Sequence, residues 1–251
     1  MKVMLPIFHI EETDSTNNYL KDLLLKDRVE EGAVVVTDYQ TSGKGQRGNG
    51  WESERSKNLL FSIVLYPDIV KANEQFIISE AVSLAVKEFL SKYADDITVK
   101  WPNDIYWQEK KICGILIENT LQEDRIGQSV IGIGININQE KFESNAPNPV
   151  SLRQITGKEY NLSILLDEVV KLILDNYNRL KSGEKLKIQN SYKDSLFRKV
   201  GYHKYSDGTS EFWGKIKDVE DSGILVLETD KEEVRKFAFK EVKYCMNQPK
   251  Y

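Results

Sequence analysis

A strictly alternating segment near the middle of the chain constrains the fold more than any other feature. From Gly132 to Asn138, isoleucine occupies every second position and glycine or asparagine the positions between. Successive side chains of a strand point to opposite faces of its sheet, so the pattern predicts a core strand with one bulky apolar face. The other face carries small and amide side chains, which suit the floor of a site for a planar or polar ligand. An edge strand with one wet face would have the same pattern, so both interpretations stay open.

Periodic apolar segments on both sides of this strand predict a domain of mixed α and β structure. Apolar and β-branched runs predict strands, and apolar residues at helical spacing predict helices. The predicted strands are 33–37, 59–66, 97–101, 111–118 and 129–137, and the predicted helices are 19–25, 73–93 and 163–180. Residues 40–58 contain four glycines and few apolar side chains, and we expect them to form a long loop.

After about residue 196 the pattern changes to short strands separated by turn residues. Segments 211–219, 223–229 and 234–239 have this character, which is typical of a small antiparallel barrel. We therefore predict an α+β protein with a main domain over residues 1–196 and a small β domain over residues 197–251. The small domain either takes part in ligand binding or is a structural appendage, and its residues do not decide between the two.

The composition excludes several classes of protein. The chain has 251 residues, 40% hydrophobic and 29% charged, with a net charge of −4, so it can form a core and is not built mainly to coat nucleic acid. Cys113 and Cys245 form no CxxC pair, and His9 and His203 are the only histidines, which excludes a zinc ribbon and a histidine-rich metal centre. No apolar run reaches the roughly 18 residues that span a bilayer. Acidic residues follow the N-terminus too early for a signal peptide, so we expect a cytoplasmic protein.

The glycine-rich loop has the composition of an anion site. It reads Gly43-Lys44-Gly45-Gln46-Arg47-Gly48 and contains G-x-G-x-x-G, but a strand follows where a dinucleotide-binding fingerprint needs a helix. Free backbone amides together with Lys44 and Arg47 are suited to holding a phosphate or an acyl phosphate. A flexible surface turn would have the same composition, and the loop alone does not separate the two.

Two further segments place polar side chains at strand ends. In Lys100-Trp101-Pro102-Asn103-Asp104 the proline ends the strand pairing, and the amide and carboxylate follow either as substrate contacts or as an ordinary turn. Lys111 opens an apolar strand in which Gly114 permits the close approach of a ligand, although lysines are also common at hairpin ends. Cys113 is interpreted as a small, buried apolar residue of that strand.

Taken in order, these segments and one more near the N-terminus resemble the biotin protein ligase family over about residues 10–140. The resembling segments are Asp14-Ser15-Thr16-Asn17, Gln40-Thr41-Ser42-Gly43-Lys44-Gly45, Lys100-Trp101-Pro102-Asn103-Asp104, Lys111-Ile112-Cys113-Gly114-Ile115-Leu116 and Gly132-Ile133-Gly134-Ile135-Asn136. The resemblance implies a mixed sheet flanked by helices, as in class II aminoacyl-tRNA synthetases and lipoate ligases, followed by a small SH3-like β-barrel. It also implies that biotin and ATP form biotinyl-5′-adenylate and pyrophosphate, and that the biotinyl group then passes to a lysine of a biotin carboxyl carrier domain.

The same resemblance implies the residues of the site. The neutral ureido ring of biotin is expected to meet neutral polar groups, which a ligand without that ring would leave unpaired. The implied biotin contacts are Ser15, Thr16, Asn17, Gln40, Gly43, Gly45, Lys111, Gly114 and Ile115. Lys111 is expected to neutralise charge where the carboxylate attacks the α-phosphorus, with Lys44 and Arg47 also assigned to catalysis. The implied ATP contacts are Lys44, Gln46, Arg47, Trp51, Lys100, Asn103, Asp104 and Asn136, with Asp104 as the ligand of Mg²⁺.

The loop departs from the family's pattern at two positions. The family motif reads Gly-Arg-Gly-Arg, and its second arginine keeps the adenylate from escaping, whereas this chain has Lys44 and Gln46 at the arginine positions. We expect Arg47, one position later, to take over the contact with the anion, assisted by Lys44. We also expect residues 41–53 to be mobile in the empty protein and to become ordered over the adenylate.

Two rival functions and the partners follow from the same residues. Lipoate protein ligase shares the fold and the adenylation step, but lipoate has no ureido ring for Ser15, Thr16 and Asn17. A non-catalytic biotin-binding regulator would not need Lys111, although Gln46 keeps this alternative open.

The first ligase motif lies too close to the N-terminus to leave room for the winged helix of longer members, so we expect no nucleic-acid partner and no repressor role. The expected partner is the carrier domain of a biotin-dependent carboxylase, and the sequence fits a monomer or a homodimer.

Overall fold

Seven strands form a mixed sheet in the larger part of the chain. The computed structural model describes residues 6–46, 49–143 and 148–246. The strands are β1 (Ile7–Thr13), β2 (Val34–Gln40), β3 (Leu59–Leu65), β4 (Ile97–Lys100), β5 (Asp104–Trp107), β6 (Lys110–Gln122) and β7 (Arg125–Ile135). Their order across the sheet is β1-β2-β3-β7-β6-β5-β4. β1 and β2 are parallel, and all other neighbours are antiparallel.

The two faces of β7 differ as its alternating sequence predicts. Ile131, Ile133 and Ile135 belong to the main hydrophobic core. On the opposite face, Gly132 pairs with residues of β3 and β6, and so does Gly134. Since β7 has a neighbouring strand on each side, it is not an edge strand. Of the two interpretations, the fold therefore permits the one in which its glycine face forms the floor of a ligand site.

Helices pack on both faces of this sheet. Within the described ranges they are α1 (Thr16–Lys26), α2 (Phe76–Leu90), α3 (Leu152–Thr156), α4 (Leu162–Lys181) and α5 (Lys185–Asp194). α2 is apolar nearly all round because it packs between the sheet, α4 and α5. α1 lies on the glycine face, where Leu20 packs in a smaller core with Val35 and Val64. α4 begins where the Asn161 side chain accepts from two backbone N–H groups of the first turn.

A second, antiparallel sheet follows the helices. Its strands are β8 (His203–Ser206), β9 (Glu211–Val219), β10 (Leu225–Thr229), β11 (Val234–Phe237) and β12 (Lys243–Tyr244), in the order β11-β10-β9-β8-β12. The change of sequence pattern near residue 196 therefore falls between α5 and β8. The division at residue 196 and the likeness of this sheet to an SH3 barrel stay predictions.

Several elements have no clear sequence signal. β1 was not predicted because most of its side chains are exposed, and β5 because it has only four residues after a turn. α5 buries only Ile188, Gln189 and Tyr192 and is otherwise polar, so its periodicity is weak. The predicted helix 73–93 is shorter in the structure, because a 3-10 turn at Ala72–Glu74 precedes α2. In the described ranges, no helix is long and apolar enough to cross a membrane.

Candidate functional site

A cleft opens on the glycine face of the larger sheet, beside the first turn of α1. The space between its walls is about 740 Å³, open solvent included. The lining residues come from β2, the start of α1, the glycine-rich loop and the residues after it, the turn before β5, the strands β5–β7, and the segment that follows β11. They are Ser15, Thr16, Asn17, Gln40, Lys44, Gly45, Gln46, Asn49, Gly50, Trp51, Asn103, Asp104, Lys111, Gly114, Ile115, Leu116, Gly132, Ile133, Gly134 and Phe239. Most of the predicted site residues are therefore brought together.

Glycines form the floor of this cleft because other side chains would not fit. Gly114 and Gly134 face each other across β6 and β7, and the indole ring of Trp51 lies on both of them. A Cβ atom at Gly134 would lie 2.5 Å from Nε1 of Trp51, and one at Gly114 would lie 2.7 Å from the same ring. The buried Nε1 has no hydrogen-bond partner in the described residues. An aromatic ring and a flat glycine surface are thus in direct contact.

The first turn of α1 fixes the side chain of Gln40. The backbone N–H of Thr16 donates to Oε1 of Gln40 at 2.8 Å, and the Thr16 hydroxyl is 3.2 Å from the same oxygen. These contacts turn Nε2 of Gln40 away from Thr16. Because no described residue accepts a hydrogen bond from that nitrogen, Gln40 can donate to a ligand in the cleft.

Asn17 is held by residues that sequence reasoning missed. Its Nδ2 donates to the carboxylate of Glu118 at 2.7 Å, and Ser62 Oγ lies 2.6 Å from its Oδ1. Lys21, one helical turn along α1, forms an ion pair with the same carboxylate. Ser62 and Glu118 are polar positions in the strands β3 and β6, but only the strand register shows that both adjoin α1.

Lys111 and the turn between β4 and β5 supply the charged part of the cleft. The Nζ atom of Lys111 lies 2.7 Å from the carboxylate of Asp104 and 5.7 Å from the ring centre of Trp51. Asn103 donates to the carbonyl oxygen of Ile115 at 3.1 Å and accepts from Nε2 of Gln46 at 3.0 Å. Gln46, at the position of the family's second arginine, is therefore tied to the Lys-Trp-Pro-Asn-Asp segment.

Other predicted site residues lie beside the cleft or outside the described residues. Lys100 is not among the lining residues: its Nζ donates to the hydroxyl of Tyr106 at 3.1 Å and lies near the ring of Tyr244, and burial lowers its pKa. Asn136 donates to a backbone carbonyl, while its buried Oδ1 has no partner in the described residues. Gly43 shapes the loop, since a Cβ there would lie 2.5 Å from a backbone oxygen of that loop. Arg47 lies outside the described residues.

The second sheet contributes a wall of the cleft. Phe239 follows β11 and lines the cleft, and its ring centre lies 6.1 Å from that of Trp101. The buried indole of Trp101 donates to the backbone oxygen of Gly223, in the turn before β10, at 2.9 Å. Trp101 therefore joins the two sheets and does not itself face the ligand space.

The sequence is similar to a known protein family and to named relatives. The model of the Biotin/lipoate A/B protein ligase family matches residues 9–136. The chain is 30% identical to the Escherichia coli bifunctional ligase/repressor BirA over 222 residues, 86% of this chain and 67% of that protein. It is 27% identical to the biotin–[acetyl-CoA-carboxylase] ligase of Paracoccus denitrificans over 225 residues, covering 87% of this chain and 92% of that one.

A solved biotin protein ligase structure has a similar fold. The Aquifex aeolicus biotin protein ligase in complex with biotin and ATP superposes with a TM-score of 0.78 at 27% identity, covering 96% of this chain and 100% of that one. The chain spans about two thirds of the length of the bifunctional relatives, 64% of BirA from Bacillus spizizenii. The matched family model and these relatives show that the chain belongs to the Biotin/lipoate A/B protein ligase family.

Proposed function

We propose that this protein is a biotin protein ligase. It would join biotin to ATP and then transfer the biotinyl group to a lysine of a biotin carboxyl carrier domain. Its named relatives include a biotin–[acetyl-CoA-carboxylase] ligase, and a structural neighbour was solved with biotin and ATP. The observation that carries the proposal is the pair of fixed amides, Gln40 and Asn17, at the first turn of α1.

These amides match a ureido ring. Gln40 offers an N–H donor because Thr16 occupies its oxygen. Asn17 offers an oxygen, because Glu118 and the backbone oxygen of Leu116 accept from its Nδ2 and Ser62 uses only one of the two lone pairs of Oδ1. A ureido group has a carbonyl acceptor and N–H donors, so both amides would be paired. Lipoate has neither group, so it would leave Nε2 of Gln40 without an acceptor and would not use the free lone pair of Asn17 Oδ1.

The chemistry would take place beside Lys111. The carboxylate of biotin attacks the α-phosphorus of ATP, the bond to the bridging oxygen breaks, and pyrophosphate leaves. The amine of the acceptor lysine then attacks the acyl carbon of the adenylate, AMP leaves, and the amine loses a proton. Lys111 would neutralise negative charge where the carboxylate and the phosphate meet. Its ion pair with Asp104 holds the ammonium group in the cleft.

The nucleotide would lie toward Trp51 and Asn136. Gly134 and Asn136 share one face of the sheet, and Trp51 covers Gly134. Oδ1 of Asn136 is a buried acceptor without a partner in the described residues, which suits the amino group of adenine. The residues also fit Mg²⁺, which is commonly held by one carboxylate together with substrate phosphates and water. Asp104 would hold the ion, which supplies charge neutralisation at the phosphates.

Other assignments stay predictions from the family resemblance. Lys44, in the glycine-rich loop that would face the phosphates, donates to Asn18 at 2.9 Å at the rim of the cleft. We propose that Arg47 and Lys44 together replace the family's arginines. The carrier-domain acceptor, the choice between monomer and homodimer, the cytoplasmic location, and the ATP contact of Lys100 are also kept as predictions.

Pyrophosphate–ATP exchange with purified protein and Mg²⁺ tests the proposal. We expect exchange with biotin, and none with lipoate or without an acid. The Lys111→Met variant should lose about 10²-fold or more of the exchange rate, because it removes the cation at the reacting groups. Lys110→Met changes the adjacent exposed lysine and should keep the rate. Exchange with lipoate alone would move the protein to the lipoate branch, and biotin binding without exchange would favour a regulator.

A further inference from the structure

We propose that Glu118 is a positioning residue that selects for the ureido group by fixing which end of the Asn17 amide faces the ligand. The inference rests on the proposed function and adds a residue that none of the sequence motifs for ligand binding had singled out. It starts from the position of Glu118 on β6, on the same face as Gly114 and Leu116 and opposite the first turns of α1.

The carboxylate of Glu118 bridges two side chains of α1. One oxygen accepts from Nδ2 of Asn17 at 2.7 Å, and the other forms the ion pair with Lys21. Partial burial alone would raise the pKa of Glu118, but the hydrogen bonds from Lys21 and Asn17 outweigh it and hold the pKa below its ordinary value. Glu118 is therefore ionised at neutral pH.

An ionised carboxylate can only accept hydrogen bonds, so it forces one orientation on the Asn17 amide. The NH₂ group faces Glu118, and Oδ1 lies toward Ser62 and over Gly132, a residue that lines the cleft. Gly132 makes room for this arrangement, since a Cβ atom there would lie 2.4 Å from Oδ1. Glu118 is thus the group that dictates the orientation, while the Ser62 hydroxyl can donate to Oδ1 and Gly132 leaves room for it.

The orientation decides what the cleft can recognise. With Oδ1 toward the ligand, Asn17 accepts from an N–H group. With the amide turned over, Asn17 would present its NH₂ group, a second donor in addition to Nε2 of Gln40. The ureido N–H groups also donate, so they would have no acceptor at Asn17. A glutamine at position 118 can donate as well as accept, so it would remove the preference and allow both orientations.

Steady-state exchange kinetics of Glu118→Gln test the inference. We expect the KM for biotin to rise about tenfold, equivalent to about 1.4 kcal/mol and so to about one hydrogen bond, while kcat changes less than twofold. Biotin analogues methylated on either ureido nitrogen supply the second readout. Methylation of the nitrogen that faces Asn17 should cost the wild type more affinity than it costs the variant, because the variant has already lost the acceptor.

Two more variants separate positioning from general damage. Lys21→Met keeps the hydrogen bond from Asn17 to Glu118 but releases the other carboxylate oxygen, so it should raise the KM in the same direction by a smaller factor. It also carries the test if Glu118→Gln fails to fold. Glu12→Gln is the matched control, because Glu12 is also a strand glutamate in a half-exposed ion pair, with Arg55, away from the cleft; it should leave the KM unchanged.

The outcomes of the two proposals are distinct. A wild-type protein without biotin-dependent exchange contradicts the proposed function. A wild type that exchanges with biotin, together with a Glu118→Gln variant of unchanged KM and unchanged methylation penalty, overturns the positioning role and leaves the ligase assignment intact. A loss of kcat at constant KM would also overturn it, since a positioning residue of the binding pocket acts on ground-state binding.

Discussion

A buried carboxyl group in α2 makes the stability of this protein depend on pH. Glu80 is 1% exposed, and neither of its oxygens has a hydrogen-bond partner in the described residues. Burial raises the pKa of Glu80 to about 8, against an ordinary value of 4.5. The charged groups around it are Lys185 and Lys193 of α5, which lower its pKa, and Asp218 of β9 and Asp221 of the following turn, which raise it; burial has the largest effect.

The direction of the effect follows from the raised pKa. Between pH 4.5 and about pH 8 the unfolded chain has lost the proton of Glu80 while the folded protein keeps it. The free energy of unfolding therefore decreases as the pH rises, by about 1.4 kcal/mol per pH unit. The full interval corresponds to about 5 kcal/mol, and the dependence ends above the folded-state pKa.

Replacing Glu80 by glutamine should remove this dependence, since the amide stays neutral throughout. We expect the two proteins to have similar stability near pH 5, and Glu80→Gln to be the more stable by several kcal/mol at pH 9. Urea unfolding followed by circular dichroism at several pH values measures the difference. Glu88→Gln is the control on the same helix, at a carboxylate that accepts from Asn176, and it should follow the wild type. Parallel curves for Glu80→Gln and the wild type would refute the reasoning.

Two further predictions concern the cleft. Gly134→Ala should displace the indole of Trp51 from the floor of the cleft, because the new Cβ would lie 2.5 Å from it; we expect a changed tryptophan emission and a stability loss of about 1–3 kcal/mol. The control Gly214→Ala, whose Cβ would have ordinary contacts of at least 3.5 Å, should cause neither change, and an unchanged emission for Gly134→Ala would contradict the contact. Trp101→Phe leaves the backbone oxygen of Gly223 without its donor and should cost about 1–3 kcal/mol in urea unfolding; an unchanged midpoint would show that this bond does not hold the two sheets together.

The sequence predicted the features that depend on residues close together in the chain. The alternation around Gly134 depends on neighbours two residues apart, so it predicts both faces of β7 without knowledge of the fold. The same holds for Cys113, which was predicted as buried and apolar and lies in the main core. The family resemblance added the order of the segments, which no single pattern provides, and so led to most of the cleft residues.

The parts that could not be predicted depend on pairing between distant segments. Ser62 becomes part of the site only because β3 pairs with β7 and places it opposite Gly132. In the sequence, Glu118 is an ordinary polar position of a strand, and only the packing of α1 against β6 shows that it contacts Asn17. Trp101 belongs to one of the segments that resemble the family, yet its indole joins the two sheets. A motif shows that a residue type is needed and not which neighbour needs it.

The wall that Phe239 gives to the cleft has a consequence for the growing chain. The polar groups of α1 and the glycine floor lie at or before Gly134, whereas Phe239 follows more than 100 residues later in the chain. A ribosome-bound chain that has not reached β11 therefore has the floor and the amides without this wall. The cleft acquires its complete boundary only when the second sheet has formed, so the site is completed after the floor and the amides have already been synthesised.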